Sequence, residues 1–204
     1  MTRSSRNFPE TSSASQSSES IIKSNELAPQ NASRFELAQK RRENQFPSIR
    51  QLYTTKKENH SFVRVAAPMV RYSRLPFRLL VREYGCDLTY TPMLISDSFT
   101  QSDSARDADF RTNPNDGPLI VQFASNKHET FGEVARALWG HCEGIGLNCG
   151  CPQHWVNKLN YGDILMKQPE LLADILGSLG FNKEFCRLFT MLLTLEFKNK
   201  LKLI

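Results

Sequence analysis

The chain has 204 residues, a formal net charge of +5 and 40% hydrophobic residues. This length suits one domain with tails and is short for a complete (β/α)₈ barrel, which usually takes about 250 residues. No run of about 18 apolar residues occurs, which argues against a membrane span, and no secretion signal opens the chain. Five cysteines, an odd number, argue against a disulfide framework and for a reducing compartment. We therefore expect a cytoplasmic protein, with the nucleus as a second location.

The basic charge lies at the two ends of the chain. Residues 1–58 carry a net charge of +4 and residues 181–204 one of +3, whereas residues 59–180 carry −2. A basic groove for nucleic acid is therefore not visible in the central segment. Two interpretations of the ends stay open, namely solvated tails and arms that bind nucleic acid.

Composition divides the chain into three parts. Residues 1–58 form a basic extension with a Ser-rich start, and we expect disorder because it can bury little apolar area. A short charged helix is predicted over 34–44, and a mitochondrial transit peptide is an alternative for the first residues. Residues 59–180 form the predicted catalytic domain. Residues 181–204 are an apolar and basic tail that could form one helix.

The central segment alternates predicted strands and helices. A polar, irregular stretch over 96–113 separates two such units. In chain order the pattern predicts a strand over 62–67, a helix over 75–84, strands over 87–92 and 118–123, a helix over 128–138, a strand over 144–147 and a helix over 169–176. This order predicts an α/β fold with a parallel sheet of βαβ units. Four strands correspond to the N-terminal half of a TIM (β/α)₈ barrel, whose chemistry lies at the carboxyl ends of its strands.

The sharpest local feature follows the fourth strand, at Asn148-Cys149-Gly150-Cys151-Pro152. Gly150 permits a tight turn or a close approach to a ligand. A thiol there could serve as nucleophile, general acid or metal ligand. A metal site would also draw on His141, Cys142 and His154, but a single residue between two cysteines is fewer than zinc sites prefer. Two buried, inert thiols in a tight turn remain the alternative.

Gln122 is the second feature, at the end of the apolar strand over 118–123. Its amide must be paired if it is buried. One interpretation is a hydrogen bond to a neighbouring loop. The other is recognition of a planar heterocycle, because an amide offers both a donor and an acceptor.

Four motifs together resemble the tRNA-dihydrouridine synthase family, in its order and spacing over residues 62–179. They are Ala67-Pro68-Met69-Val70-Arg71-Tyr72-Ser73, Tyr90-Thr91-Pro92-Met93, the strand over 118–123, and Asn148 to Pro152 followed by Tyr161-Gly162-Asp163-Ile164-Leu165-Met166 and by Pro169-Glu170-Leu171. The Val-Arg-Tyr-Ser and Asn-Cys-Gly-Cys-Pro variants look most similar to the eukaryotic subfamily that modifies D-loop sites 20a and 20b. The resemblance departs at Asp163, where the family usually has a small residue.

The resemblance implies a flavin enzyme that reduces uridine to 5,6-dihydrouridine in tRNA. NADPH or NADH would reduce FMN, a hydride would pass to C6 of the uracil, and Cys151 would give a proton to C5. Pro68, Met69 and Val70 would line the flavin, mainly through backbone groups, and Gln122 would hydrogen-bond its pyrimidine edge. Asn148 would orient the uracil. The chemistry suits a neutral thiol, since an ordinary cysteine with a pKa of about 8.5 is mostly protonated near pH 7, and the uracil must leave its stack.

The family match stops near residue 179, before the second half of the family's barrel and its tRNA-binding helical domain. We expect a truncated product whose tail replaces the usual continuation. Such a half barrel would have open sheet edges, through which two copies could pair. Alternatives to the active enzyme are a non-catalytic isoform or fragment, and a flavin-dependent reductase of a free pyrimidine. The expected partner is tRNA, with no membrane and no metal.

Overall fold

A computed structural model of the chain describes residue 42 and residues 44–179. The elements are α1 (Ile49–Glu58), β1 (Val65–Ala66), α2 (Leu75–Glu83), β2 (Leu88–Tyr90), β3 (Leu94–Ile95), α3 (Ser96–Gln101), α4 (Asp103–Asp109), β4 (Leu119–Ala124), α5 (His128–Ala137), β5 (Gly144–Leu147), α6 (His154–Lys158), a 3₁₀ helix (Gly162–Lys167) and α7 (Pro169–Gly177). No helix in this part of the chain is long and apolar enough to cross a membrane. The tail over 181–204 and nearly all of the helix predicted over 34–44 lie outside the described residues.

The strands form one parallel sheet. Strand β1 pairs with β2, β2 with β4, and β4 with β5. Strand β3 also pairs with β4, in parallel. Helices follow β1, β3, β4 and β5, as expected for right-handed βαβ connections. The predicted α/β class with a parallel sheet is confirmed, and the strand order is that of successive strands in a TIM barrel.

Strands β2 and β3 behave as one strand that is interrupted at residues 91–93. Tyr90 is opposite Ile120, and Leu94 is opposite Phe123. The interrupted strand therefore contains one residue more than its partner, as in a β-bulge. The side chain of Thr91 completes the hydrogen bonding with β4 at this break, because its Oγ1 accepts the backbone N–H of Gln122 at 3.0 Å. The predicted strand over 87–92 missed this break.

The two faces of β4 have different neighbours. Its outer face carries Leu119, Val121 and Phe123, which join the main apolar core with side chains of α5 and α7. Its inner face carries Ile120, which packs with Leu88 and Tyr90 of β2. Every apolar residue of β4 is at most 1% exposed, as predicted for a strand buried on both faces. Gln122 lies on the inner face, one step closer to the carboxyl end.

Helix α1 corrects the expectation of disorder for the residues that precede the barrel strands. Ile49 and Leu52 are buried among Leu88, Tyr90 and Ile120. Ser48 begins the helix through a capping box: its Oγ accepts the N–H of Gln51, and its own N–H donates to Gln51 Oε1. The Ser-x-x-Gln spacing is a local signal for a helix start, but the polar composition of the extension obscured it.

The N-terminal segment covers the amino ends of the strands. Arg42 donates to the carboxylate of Glu143, just before β5, with Nε to Oε1 at 2.7 Å. The ring of Phe46 lies against Gly117, where a Cβ would come within 2.4 Å of the ring. This segment therefore covers the end of the sheet opposite to the carboxyl ends, where the candidate site lies.

Candidate functional site

The first part of the site is the loop that follows β1. Ser73 is 1% exposed, and its Oγ accepts the N–H of Met69 at 2.8 Å and donates to the carbonyl of Ala67 at 3.2 Å. Arg71 adopts φ 69°, which a non-glycine residue rarely does. Met69 and Val70 are 37% and 47% exposed. The loop is thus closed by a buried serine and presents two apolar side chains to solvent.

A buried ion pair supports this loop from behind. Arg78 and Asp116 are 2% and 0% exposed, and their closest approach is 2.6 Å, from Nη2 to Oδ2. The same guanidinium donates through Nη1 to the carbonyl of Ser73 at 2.6 Å. Thr112 Oγ1 donates to the same oxygen, Asp116 Oδ2, at 3.1 Å. Because a buried charge needs several partners, this pair ties the β1 loop rigidly to the segment that precedes β4.

An amide pair forms the second part of the site, at the carboxyl ends of β4 and β5. Asn148 Nδ2 donates to Gln122 Oε1 at 3.1 Å. Gln122 Nε2 makes no hydrogen bond with any described residue and remains a donor on the inner face. The structure shows the first predicted alternative for Gln122, because its side-chain oxygen is hydrogen-bonded to Asn148 in a neighbouring loop. Recognition of a planar heterocycle by its NH₂ group stays a prediction.

Asn148 also organises the loop that carries Cys151. Its Oδ1 accepts the backbone N–H of Gly150 at 3.3 Å and that of Cys151 at 3.0 Å. Its oxygen is therefore occupied by the loop, and one hydrogen of its NH₂ group is occupied by Gln122. The second hydrogen on Nδ2 has no hydrogen-bond partner among the described residues. Sequence reasoning assigned Asn148 to substrate alone and missed that it shapes this turn.

The segment after α6 contacts the Cys151 backbone on the side away from Asn148. The N–H of Asp163 donates to the carbonyl of Cys151 at 3.2 Å. Gly162 has φ 75°, and a Cβ there would lie 2.4 Å from that carbonyl oxygen. Both backbone polar groups of Cys151 are thus hydrogen-bonded, while its side chain is partly buried. The backbone that carries this thiol is therefore fixed from both sides.

The structure brings together three of the six predicted site residues. Gln122, Asn148 and Cys151 are joined by consecutive hydrogen bonds. Pro68, Met69 and Val70 lie in the loop after β1, and no hydrogen bond connects them to the other three. Sequence reasoning placed Ser73, Thr91 and Gly162 within motifs but gave none of them a role. For Gly162 a glycine at a turn was the available signal, whereas nothing local marks the roles of Ser73 and Thr91.

The cysteines and histidines considered as metal ligands are His141, Cys142, Cys149, Cys151 and His154. Among residues 44–179, no three or more His, Cys, Asp or Glu side chains are grouped so that they could hold a metal ion. Cys142 lies just after α5 and donates to the carbonyl of Leu138. Burial raises the pKa of its thiol to about 12, and the neighbouring Glu143 carboxylate adds to the effect. Such a thiol stays protonated near pH 7, whereas the thiolate is the form that binds metals and reacts.

Comparison with known proteins gives a consistent family. Residues 64–183 match the family profile described as dihydrouridine synthase. A human protein named tRNA-dihydrouridine(20a/20b) synthase NAD(P)+-like is 51% identical over 113 residues, which are 55% of this chain and 36% of that protein.

Two yeast proteins named tRNA-dihydrouridine(20a/20b) synthase NAD(P)+ are also similar. The one from Schizosaccharomyces pombe is 41% identical over 128 residues, which are 61% of this chain and 38% of that protein. The one from Saccharomyces cerevisiae is 38% identical over 122 residues, 60% of this chain and 33% of that protein. The chain thus spans about a third of the length of these relatives. Since the family profile covers more than half of the chain and includes every residue of the site described above, the chain belongs to the dihydrouridine synthase family.

Proposed function

We propose that this chain carries residues of a flavin-dependent site that reduces uridine to 5,6-dihydrouridine in the D-loop of tRNA. The observation that carries the proposal is the hydrogen-bonded series Gln122–Asn148–Cys151 at the carboxyl ends of β4 and β5. Family membership and the names of the relatives support it. The names of these relatives also favour positions 20a and 20b as the target and a nicotinamide, NADPH or NADH, as the reductant.

The residues of the site fit a flavin. Gln122 Nε2 is a free donor on the inner face beside Gly146, where even a Cβ would have ordinary contacts only. Met69 and Val70 expose apolar side chains for an aromatic ring system. The N–H of Met69 is occupied by Ser73, so Met69 would contact the ring through its side chain. Bound FMN would supply the hydride that adds to C6 of the uracil.

The chain's own residues would complete the reduction at C5. Addition of hydride to C6 places negative charge on the uracil ring, and a nearby acid discharges it. Cys151 would give the proton of its thiol to C5 and become a thiolate, which solvent reprotonates. The second hydrogen on Asn148 Nδ2 would donate to a uracil carbonyl oxygen. Asn148 would therefore set both the position of the base and that of the acid.

Flavin binding and tRNA reduction by the purified 204-residue chain test this proposal. We expect the chain, supplied with FMN, to retain about one flavin per chain, as measured by absorbance and by mass spectrometry of the released cofactor. With NADPH or NADH and unmodified tRNA it should form dihydrouridine, and Cys151→Ala should retain the flavin but lose rate by about 10²–10⁴-fold, as for other general acids. Cys86→Ala is the matched control. The thiol of Cys86 donates a hydrogen bond to the carbonyl of Leu88 at the amino end of β2, away from the candidate site.

Three results would overturn the proposal. A folded chain that binds no flavin in excess FMN would favour a non-catalytic protein. Dihydrouridine formation that survives in Cys151→Ala would remove Cys151 as the acid. Reduction of free uracil without reduction of tRNA would favour a reductase of a free pyrimidine.

A further inference from the structure

A second cluster of polar side chains lies close to Cys151, and the reduction described above makes no use of it. Its centre is Tyr161, which is 5% exposed and packs with Ala124 and Val156. The hydroxyl of Tyr161 donates to Asp97 Oδ2 at 3.4 Å. Burial, with the Asp97 carboxylate as a further cause, raises the pKa of Tyr161. The hydroxyl therefore keeps its proton at neutral pH and can act only as a donor toward this carboxylate.

Asp97 is held in place from several elements. It lies in the first turn of α3, directly after β3. Lys127, which follows β4, donates from Nζ to Asp97 Oδ2 at 3.0 Å. Oδ1 of Asp97 is buried and has no hydrogen-bond partner among the described residues. Since an unpaired buried oxygen destabilises the fold, this carboxylate is not explained by stability alone.

Tyr161 is connected to Cys151 through the two residues that follow it. Gly162 lies directly against the carbonyl of Cys151, and Asp163 donates its N–H to that carbonyl. The side chain of Cys151 also packs against the cluster that contains Tyr161. The backbone of Cys151 is therefore held on one side by Asn148 and on the other by the segment 161–163.

We propose that Asp97 is a positioning residue, which holds the segment 161–163 against the Cys151 backbone through the hydroxyl of Tyr161. Lys127 compensates the charge of Asp97 at its exposed side. This arrangement holds the Cys151 backbone in place and so limits the directions in which its thiol can point. Opening of the Cys151 loop would cost the free energy of the Asp97–Tyr161 hydrogen bond. The catalytic part of this proposal rests on the proposed function, whereas its structural part concerns only how tightly Cys151 is held.

The rate at which iodoacetamide alkylates Cys151 in the folded chain, followed by mass spectrometry, tests the proposal. Asp97→Asn and Tyr161→Phe should each raise this rate about fivefold, since each removes or weakens a hydrogen bond to a charged group and so favours local opening. The double variant should react no faster than the faster single variant, because both changes remove one contact. The matched control is Tyr84→Phe, a tyrosine that is 83% exposed.

Cys142 reports general unfolding in the same samples, because burial keeps its thiol protonated. The proposal fails if the single variants react like the parent, if the two effects multiply in the double variant, or if Cys142 becomes reactive together with Cys151.

The rate constant for dihydrouridine formation gives the catalytic readout. We expect Asp97→Asn and Tyr161→Phe to lower kcat about tenfold with little change in KM for tRNA, since the misplaced group acts in the chemical step. An unchanged kcat overturns the catalytic part. If the parent chain forms no dihydrouridine, the proposed function fails, and the alkylation rates still decide whether Asp97 positions Cys151.

Discussion

Gly162 is the single residue on which the geometry of Cys151 depends most directly. Its φ of 75° is one that side chains rarely adopt, and a Cβ would lie 2.4 Å from the carbonyl oxygen of Cys151 and 2.9 Å from a Val156 methyl group. Because the first of these atoms is backbone, it cannot move without displacing the Cys151 loop.

Gly162→Ala should therefore destabilise the chain by about 3 kcal/mol, from the backbone strain and the contact together. Gly177→Ala is the control, because nothing lies within 4 Å of its Cβ position and it ends a helix. The control should be neutral or slightly stabilising. Chemical denaturation of the two variants measures the difference, and equal free energies of unfolding would contradict the assigned role of Gly162.

The contacts that hold Gln122 could be predicted only in part from the residues around it. A lone glutamine at the end of an apolar strand predicted either a structural or a ligand-binding amide, and the structure shows hydrogen bonds that hold it in place. Its backbone N–H is bound by Thr91 and its side-chain oxygen by Asn148. Thr91 lies in the break between β2 and β3 and Asn148 directly follows β5, so no local pattern around Gln122 contains these partners.

At the scale of elements, α1 is the largest difference between expectation and structure. The extension before residue 59 is polar overall, and composition predicted disorder. Two apolar side chains hold this helix on the sheet instead. Ile49 and Leu52 are only 1% and 9% exposed in the folded chain. Mean composition does not reveal such a helix, because its apolar face is narrow and becomes useful only after docking.

Removal of that apolar face tests whether α1 is integral to the fold. Ile49→Ala and Leu52→Ala should each lower the free energy of unfolding by about 2–4 kcal/mol, as for other large-to-small core changes. Arg50→Ala should have little effect, since Arg50 lies on the exposed face of the same helix. Denaturant titration measures the three values. If Ile49→Ala and Leu52→Ala lower the free energy of unfolding no more than Arg50→Ala does, α1 does not stabilise the sheet.

At the scale of the whole molecule, Asp87 joins the N-terminal helix to the sheet. Its carboxylate lies 2.7 Å from Lys56 Nζ of α1 and accepts the N–H of Arg64, just before β1, at 2.8 Å. Partial burial by itself would raise its pKa, but the bonds from Lys56 and Arg64 outweigh burial and hold the pKa below its ordinary value. The charged form is therefore favoured by folding.

A depressed pKa in the folded state predicts a pH-dependent contribution to stability. The contribution is complete above the ordinary pKa of aspartate, about 3.9, and is lost as pH falls through the lower pKa of the folded state. Asp87→Asn should cost about 1 kcal/mol at pH 7, and the cost should shrink as pH falls through the lower pKa of the folded state. Thermal unfolding from pH 7 to pH 2 measures the difference in stability between the parent chain and Asp87→Asn. The control is Asp107→Asn, because Asp107 is exposed and has no ion pair among the described residues. A difference that stays constant with pH would contradict the role assigned to Asp87.

The sequence by itself determined the class of fold and the main alternation of strands and helices, and its motifs predicted Gln122, Asn148 and Cys151 as site residues. These follow from local periodicity and from motifs, and both are properties of neighbouring residues. Only the tertiary structure decided how those residues are held. Asp97 and Tyr161 are 64 positions apart, and Thr91 and Gln122 are 31 apart. Contacts at such separations depend on strand register and on the break between β2 and β3, which no local pattern in the chain specifies.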